Sequence, residues 1–170
     1  ALPISALTNF AGQNLGAGKT DRVKKGFVRG MVMVFVFSLV IIPVFFCLGK
    51  NIIGIFVNDE TQVVAIGATA LKITSVCYFF LGMIYVPRSI LNGCGDTNFS
   101  LINGFTEVVC RIGFAPVLTR IPSLTVAGLT VPIGFWGIWV TTGITWFMTA
   151  LVCCIRYKTG IWMKKGVIQQ

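Results

Sequence analysis

Residues 99–119 read FSLINGFTEVVCRIGFAPVLT and predict a helix that crosses a membrane. About 20 mainly apolar residues are needed to cross the hydrocarbon core of a bilayer, and this stretch has that length. Glu107 and Arg111 lie near its middle, at a spacing that places both side chains on one face of a helix. A lone charge at that depth costs on the order of 2.5–3.5 kcal/mol on insertion scales. We therefore expect the two side chains to pair and to face the protein interior.

The Glu107–Arg111 pair has two interpretations. A charged residue inside a membrane is a functional candidate, here for transport or gating. An internal ion pair can equally hold neighbouring helices in place, because such a pair is weak evidence for either role. The sequence leaves both interpretations open.

The composition is that of a membrane protein. The chain has 170 residues, of which 55% are hydrophobic and 11% are charged, whereas a soluble domain carries about 25% charged residues. Its apolar residues form four blocks, which predict spans at about 27–48, 70–91, 99–119 and 133–155. Open sheets cannot satisfy their backbone groups in lipid. The predicted fold class is therefore all-α, a polytopic transmembrane helical bundle with four complete spans plus the end of a fifth at residues 1–12.

Turns and breaks are predicted from glycine, proline and charged residues. The loops or turns are expected at Gly49–Gln62, Pro87–Thr97 and Arg120–Pro132. Pro43 is expected to kink its helix. The block Val63–Leu91 exceeds the length of a span, so the part before Lys72 is predicted to be an interfacial turn or a helix extension. In the Pro87–Thr97 turn, Asp96 or Thr97 is expected to cap the next helix, and Asp96 is expected to pair with Arg88.

The positive charges predict the topology. Ten of the 14 Lys and Arg residues lie in Lys19–Arg29, in Arg88–Thr97 and in the tail after Ile155. Cytoplasmic loops carry an excess of Lys and Arg, so these segments and the C-terminus are predicted to face the cytoplasm. The net charge of +9 is explained by this distribution, and no nucleic-acid partner is expected.

Enzymatic and metal chemistry are not predicted. The chain has no histidine, its six cysteines show no CxxC spacing, and its few carboxylates do not cluster. The glycine-rich segment before Lys19-Thr20 departs from a phosphate-binding loop, because Gln13 stands where the first glycine is required. We expect no cofactor and no resident metal.

Three adjacent aromatic residues are candidates for a substrate cavity. Tyr78, Phe79 and Phe80 either pack within the bundle or form an aromatic wall for a cationic ligand. The second interpretation uses the attraction between a cation and the face of an aromatic ring.

Three motifs, in order, resemble the multidrug and toxic compound extrusion (MATE) transporters. GQNLGAG at 12–18, followed by the basic segment 21–25, resembles the family's cytoplasmic GQxxGAG loop. Residues 78–82 with the Arg-x-x-Leu-x-Gly-x-Gly-Asp-Thr pattern at 88–97 resemble the end of the tenth of twelve helices. Glu107 to Arg111 resembles the Glu-x-x-x-Arg common in the eleventh. The loop candidates carried by these motifs are Gln13, Gly16, Gly18, Arg88 and Asp96.

The resemblance implies that residues 1–170 form part of a C-terminal lobe, from the end of helix eight through helix twelve. Family members have two six-helix lobes around a central cavity and export drugs or organic cations in exchange for Na⁺ or H⁺. The implied protein is a multi-pass protein of the plasma membrane. Its implied partners are membrane lipid, an organic-cation substrate and an N-terminal lobe. The chain begins without Met inside an apolar run, so we expect it to belong to a larger protein.

One departure leaves the coupling ion open between Na⁺ and H⁺. Some subfamilies carry a coupling carboxylate in the tenth helix, but Val63–Leu91 contains neither Asp nor Glu. Two alternative functions remain. The first is a lipid-linked precursor flippase of the same superfamily, whose cavity would be more basic. The second is a non-transporting membrane scaffold or channel subunit, although no filter sequence typical of a channel is present.

Overall fold

The computed structural model describes residues 2–57, 61–121, 124–126, 129–131 and 134–165. The helices in this part of the chain are α1 (Leu2–Gly16), α2 (Thr20–Gly54), α3 (Thr61–Val76), α4 (Tyr78–Gly93), α5 (Thr97–Arg120), α6 (Gly137–Lys158) and α7 (Ile161–Lys165). Two short antiparallel strands, β1 (Leu124–Val126) and β2 (Leu129–Val131), stand between α5 and α6. One turn of 3-10 helix at Gly134–Trp136 leads into α6.

The predicted all-α polytopic bundle is confirmed. Helices α2, α5 and α6 are each long and apolar enough to cross a membrane. Helices α3 and α4 meet the same criterion only together, because the chain bends by 51° between them. Within the described residues there are therefore three continuous helices able to span a membrane and, counting the bent pair as one, a fourth span that is broken near its middle.

The break in the fourth span lies at Cys77, where the sequence predicted none. Helix α3 runs without interruption past Lys72, and α2 and α4 continue through Pro43 and Pro87. At the break, the amide of Cys77 donates to the carbonyl oxygen of Thr74 at 3.0 Å, a tighter turn than that of an α-helix. Proline is tolerated inside membrane helices, so it did not mark the break.

The predicted connections are shorter than expected. Helix α2 continues to Gly54, so the first six residues of the expected Gly49–Gln62 loop are helical, and residues 58–60 lie outside the described residues. Helix α4 continues to Gly93, which leaves Cys94–Asp96 as the turn into α5. The glycine at 95 has a φ of +81°, a left-handed conformation that favours glycine. In the expected loop at 120–132, Leu124 pairs with Val131 across β1 and β2.

Helices α1 and α4 approach each other with backbone against backbone. A Cβ atom on Gly93 would overlap the carbonyl oxygen of Thr8. On the other helix, a Cβ atom on Gly12 would lie 2.8 Å from the carbonyl oxygen of Gly93. Glycine at this contact permits the close packing on which membrane helices depend, because lipid supplies no hydrophobic driving force between helices.

The buried core is concentrated at one end of the bundle. It brings together the ends of several helices near the α4–α5 turn, including Leu15, Val23, Leu91, Phe99 and Cys153. Most of the large apolar residues of α2 and α5 point outward instead. Such a wide exposed apolar surface is characteristic of a protein that lies in lipid.

Candidate functional site

The predicted pairing of Glu107 with Arg111 is confirmed. Nη2 of Arg111 lies 3.0 Å from Oε1 of Glu107, and Nη1 reaches Oγ1 of Thr142 on α6 at 3.4 Å. The Glu107 side chain is 32% exposed and that of Arg111 43% exposed. The pair therefore links α5 to α6 at the edge of the described bundle.

A second ion pair lies at the α4–α5 turn. Asp96 occupies the predicted N-cap position of α5, but it makes no side-chain cap hydrogen bond. Its Oδ2 accepts from Nε of Arg156 on α6 at 2.8 Å. Arg156 is thus an ion-pair partner of Asp96 that the sequence did not suggest. Arg88, the suggested partner, lies half-buried on α4, and its pairing with Asp96 stays a prediction. The Asp96 side chain is only 1% exposed. The ion pair therefore holds the α4–α5 turn against the C-terminal end of α6.

A thiol beside this ion pair is strongly perturbed. Cys94 is buried in the α4–α5 turn. Burial, and then the negative charge of Asp96, raise the pKa of the Cys94 thiol to about 11. The thiol is therefore neutral and unreactive at physiological pH.

The predicted glycine-rich loop is mostly the end of a helix. Gln13 and Gly16 lie in the last turn of α1 and are exposed, which corrects the expected loop start at residue 13. The turn itself includes Gly18, whose φ is +70°. The amide of Lys19 closes the turn by donating to the carbonyl oxygen of Asn14 at 2.8 Å. This connection is compact and orders the start of α2.

The three aromatic candidates point in different directions. The ring of Tyr78 stacks on Trp146 of α6 with centroids 6.0 Å apart. The ring centroid of Phe79 lies 5.7 Å from that of Phe35 on α2. The ring centroid of Phe80 lies 5.2 Å from that of Phe147 on α6. Consecutive helical residues project about 100° apart, so these three rings join α4 to two neighbours instead of forming one wall. Of the three, only Tyr78 lines the groove described next.

A large groove opens between α1, α2 and α4. Its volume is 1160 Å³, slightly more than the roughly 300–1,000 Å³ of a drug-sized pocket. Its wall is mainly apolar, with Phe10, Met33 and Phe37 among the lining residues. We call it the α1–α2–α4 groove.

A buried polar cluster between α5 and α6 was not predicted. Oδ1 of Asn103 accepts from Sγ of Cys153 at 2.9 Å. Nδ2 of Asn103 and Oγ1 of Thr145 are buried and have no hydrogen-bond partner within the described part of the chain. The spacing of Thr141, Thr145, Thr149 and Cys153, each four residues from the last, was the signal that could have revealed a polar stripe on α6.

Comparison with known proteins identifies the family. The family model described as MatE matches residues 4–117, which is more than half of the chain. The chain belongs to the MatE family. The match covers α1 to α5, and so both the α1–α2–α4 groove and the Glu107–Arg111 pair.

Two curated proteins are also similar to this MatE chain. Multidrug and toxin extrusion protein 2 of Homo sapiens and that of Pongo abelii are each 29% identical to it over 119 residues. The alignments cover 69% of this chain and 20% of each relative, so the chain spans about a fifth of the length of the proteins it matches. No solved structure matches it. Within the described residues, no group of His, Cys, Asp and Glu side chains is arranged to hold a metal ion.

Proposed function

We propose that this chain is part of a secondary active transporter that exports drugs or toxic organic compounds. The observation that carries the proposal is the MatE match over residues 4–117. The names of the two relatives, which describe multidrug and toxin extrusion, support it. Because the chain corresponds to 20% of each relative, we assign the activity to a longer protein in which this chain is part of the C-terminal lobe.

The bent span supports an alternating-access mechanism. Secondary transporters commonly build substrate sites from interrupted helices near the middle of the bilayer, and α3 and α4 meet at such an interruption. The backbone of α6 passes close to it, because a Cβ on Gly143 would lie 2.5 Å from Sγ of Cys77. We assign the α3–α4 joint to the part of the lobe that repacks against α6 during transport.

The substrate class in this proposal is an organic cation. The stacked rings of Tyr78 and Trp146 lie beside the bend, and aromatic faces attract cations. The exchanged ion is Na⁺ or H⁺. Glu107 is the one acidic residue within a predicted span, and through Arg111 it is coupled to Thr142 of α6. We assign the pair to gating, with coupling carboxylates supplied by other parts of the protein.

The proposed location is the plasma membrane, with the C-terminus and the α1–α2 connection in the cytoplasm. The distribution of Lys and Arg supports this orientation. A C-terminal tag that a membrane-impermeant protease removes only after the cells are opened would agree with it. Cleavage of the tag in intact cells would reverse the orientation.

The test of transport uses the longest reading frame that contains these residues, purified and placed in proteoliposomes. Uptake of a fluorescent organic cation is followed under an imposed Na⁺ or H⁺ gradient. Movement that depends on one gradient would support antiport and name the ion. Absence of movement with either gradient would contradict the proposal and favour the flippase alternative, which a fluorescent lipid-linked substrate then tests.

The role of the pair is tested in the same assay with two variants, Glu107→Gln and Thr142→Val. Glu107→Gln removes the charge, whereas Thr142→Val removes the contact of Arg111 with α6 and the hydrogen bond from Thr142 to the carbonyl oxygen of Ile138 within α6. Loss of transport in both variants at normal protein level would support gating through the α5–α6 contact. Normal transport in both would reduce the pair to a structural element.

A further inference from the structure

Three basic side chains line one end of the α1–α2–α4 groove. Arg22, Lys25 and Arg29 lie on α2 at a spacing of three or four residues, so they follow one face of that helix. All three residues are exposed. The carboxylate of Asp21 is 3.9 Å from Nζ of Lys24, a residue that does not line the groove. Within the described part of the chain, none of the three forms a salt bridge, and no acidic residue lines the groove.

The rest of the groove is mainly apolar and runs along the axis of α2. The lining face of this helix continues from Arg29 through Met33 and Phe37 to Phe45. Sixteen helical residues at 1.5 Å each give the apolar part a length of about 24 Å. One leaflet of a hydrocarbon core about 30 Å thick is only about 15 Å deep. The groove is therefore long enough to hold an acyl chain that enters from one leaflet.

The basic end of the groove lies at the start of α2, in the segment that we propose to face the cytoplasm, and the inference rests on that proposed orientation. Cytoplasmic leaflets carry anionic lipids, whose attraction for Lys and Arg falls off within a Debye length. A cationic transport substrate would be repelled there by three like charges. A phosphodiester headgroup with an attached acyl chain matches both the charge and the shape.

From this match we infer that the α1–α2–α4 groove is a binding site for an anionic phospholipid, with its phosphate held by Arg22, Lys25 and Arg29 and an acyl chain lying along the apolar wall. Guanidinium groups bind phosphate oxygens through paired hydrogen bonds, and the lysine adds a point charge. The lipid in this site is a bound partner of the protein and is separate from the exported substrate.

The headgroup contacts are tested by native mass spectrometry on the longest reading frame that contains these residues, purified in detergent. The protein is titrated with phosphatidylglycerol and, separately, with phosphatidylcholine of the same acyl chains. We expect phosphatidylglycerol to be retained more tightly. The triple variant R22Q/K25Q/R29Q should lose on the order of a hundredfold in affinity, at about fivefold for each basic residue.

The matched control, K19Q/K24Q/K158Q, removes the same amount of charge from exposed residues that do not line the groove. It should retain the preference for phosphatidylglycerol. An equal loss in both triple variants would overturn the site, because it would show diffuse attraction to a basic surface. Displacement of the lipid by equimolar glycerol phosphate would also overturn it, because the site would then be one for free phosphates.

The acyl-chain contact is tested with a tryptophan placed in the apolar wall. Phe37 lines the groove and is 64% exposed, so Phe37→Trp should fold normally. In nanodiscs, phosphatidylglycerol brominated along its chains should quench the added fluorescence of this variant, relative to the wild type, more than brominated phosphatidylcholine does. Equal quenching by the two lipids would overturn the proposal, because bulk lipid would then be filling the groove. If a segment outside residues 1–170 fills the groove in the longer protein, neither brominated lipid will quench the added tryptophan there. That result would likewise overturn the proposal.

Discussion

Two ion pairs, one at the start of helix α5 and one within it, differ in burial and in the sequence separation of their partners. At the α4–α5 turn, Asp96 meets Arg156 from a point 60 residues away in the chain, and its side chain is 1% exposed. Eleven residues further on, Glu107 pairs with Arg111 within the helix, and both side chains keep about a third or more of their surface exposed. We call the first region the turn end (residues 94–103) and the second the open stretch (residues 104–117).

The difference shows that position, more than chemistry, determines what an ion pair contributes. Removing an ion-pair partner from a buried carboxylate destabilises the fold, because less of the buried charge is then compensated. A pair four residues apart on a helix surface contributes only a few tenths of a kcal/mol. The two ion pairs have nearly the same distance. The first nevertheless stabilises the turn end strongly, whereas the second stabilises the open stretch only slightly.

Arg156→Ala should have the largest effect. It leaves the Asp96 carboxylate buried without this partner, and we expect the free energy of unfolding to fall by about 3–5 kcal/mol. Denaturant titration of the chain in detergent measures this change. The double variant Asp96→Asn/Arg156→Gln should recover part of the loss. A loss below about 1 kcal/mol in the single variant would remove the distinction between the two pairs.

Gly93→Ala should have the next largest effect. The added methyl group would overlap the carbonyl oxygen of Thr8 and force α1 away from α4 beside the turn end. Overpacking of this kind costs about 1–3 kcal/mol. The matched control is Gly104→Ala in the open stretch, where no atom lies within 4 Å of the added Cβ. The control should be neutral or slightly stabilising, because alanine favours helix more than glycine does. Equal melting temperatures for the two variants would contradict the close contact.

A rise in pH should weaken the turn end through Cys94. Burial raises the pKa of this thiol from 9.0 to about 11. Below pH 9 the thiol is protonated in both the folded and the unfolded chain, so it has no effect on stability. Above pH 9 only the unfolded chain loses the proton, and stability falls until about pH 11. The loss at pH 10 is about 1.4 kcal/mol.

This pH effect is measured as the difference between the stability curves of the wild type and Cys94→Ala from pH 8 to pH 10. The cavity left by alanine lowers stability by the same amount at every pH. Because the variant lacks the thiol, the wild-type curve should fall more steeply than the variant's curve above pH 9. Parallel curves would show that Cys94 ionises with an ordinary pKa.

Glu107→Gln should have the smallest effect. Glutamine keeps an oxygen that can accept from Arg111, and the lost charge is worth about 0.3–0.5 kcal/mol at this exposure. The same denaturant titration measures it. If Glu107→Gln lowered the free energy of unfolding of the longer protein by more than about 2 kcal/mol, another segment would have to bury the pair. The Glu107–Arg111 pair would then no longer be the weaker of the two.

The features that the sequence predicted correctly are those that depend on residues close together in the chain. The four apolar blocks predicted the bundle, because the thickness of a bilayer sets the length of a helix that crosses it. The Glu107–Arg111 contact followed from helical spacing alone. The Asp96–Arg156 contact joins residues 60 positions apart, and nothing local to either residue indicates the other.

The break in the fourth span was missed for a related reason. Proline is the usual local signal for an interruption, but Pro43 and Pro87 both lie inside continuous helices. The bend at Cys77 occurs where α6 packs against it at Gly143, and this packing is a tertiary effect. The α1–α2–α4 groove was missed because its walls come from three helices, although the basic residues at its mouth were already noted as a topological signal.

The length of α2 has a consequence for how this helix meets the membrane surface. With 35 residues, the helix measures about 52 Å, well beyond the roughly 30 Å of hydrocarbon in an average bilayer. Its apolar part, from Phe27 to Leu48, has 22 residues and measures about 33 Å, which fits that thickness. The first turns of α2, which carry Arg22, Lys24 and Lys25, therefore extend beyond the hydrocarbon into the headgroup layer.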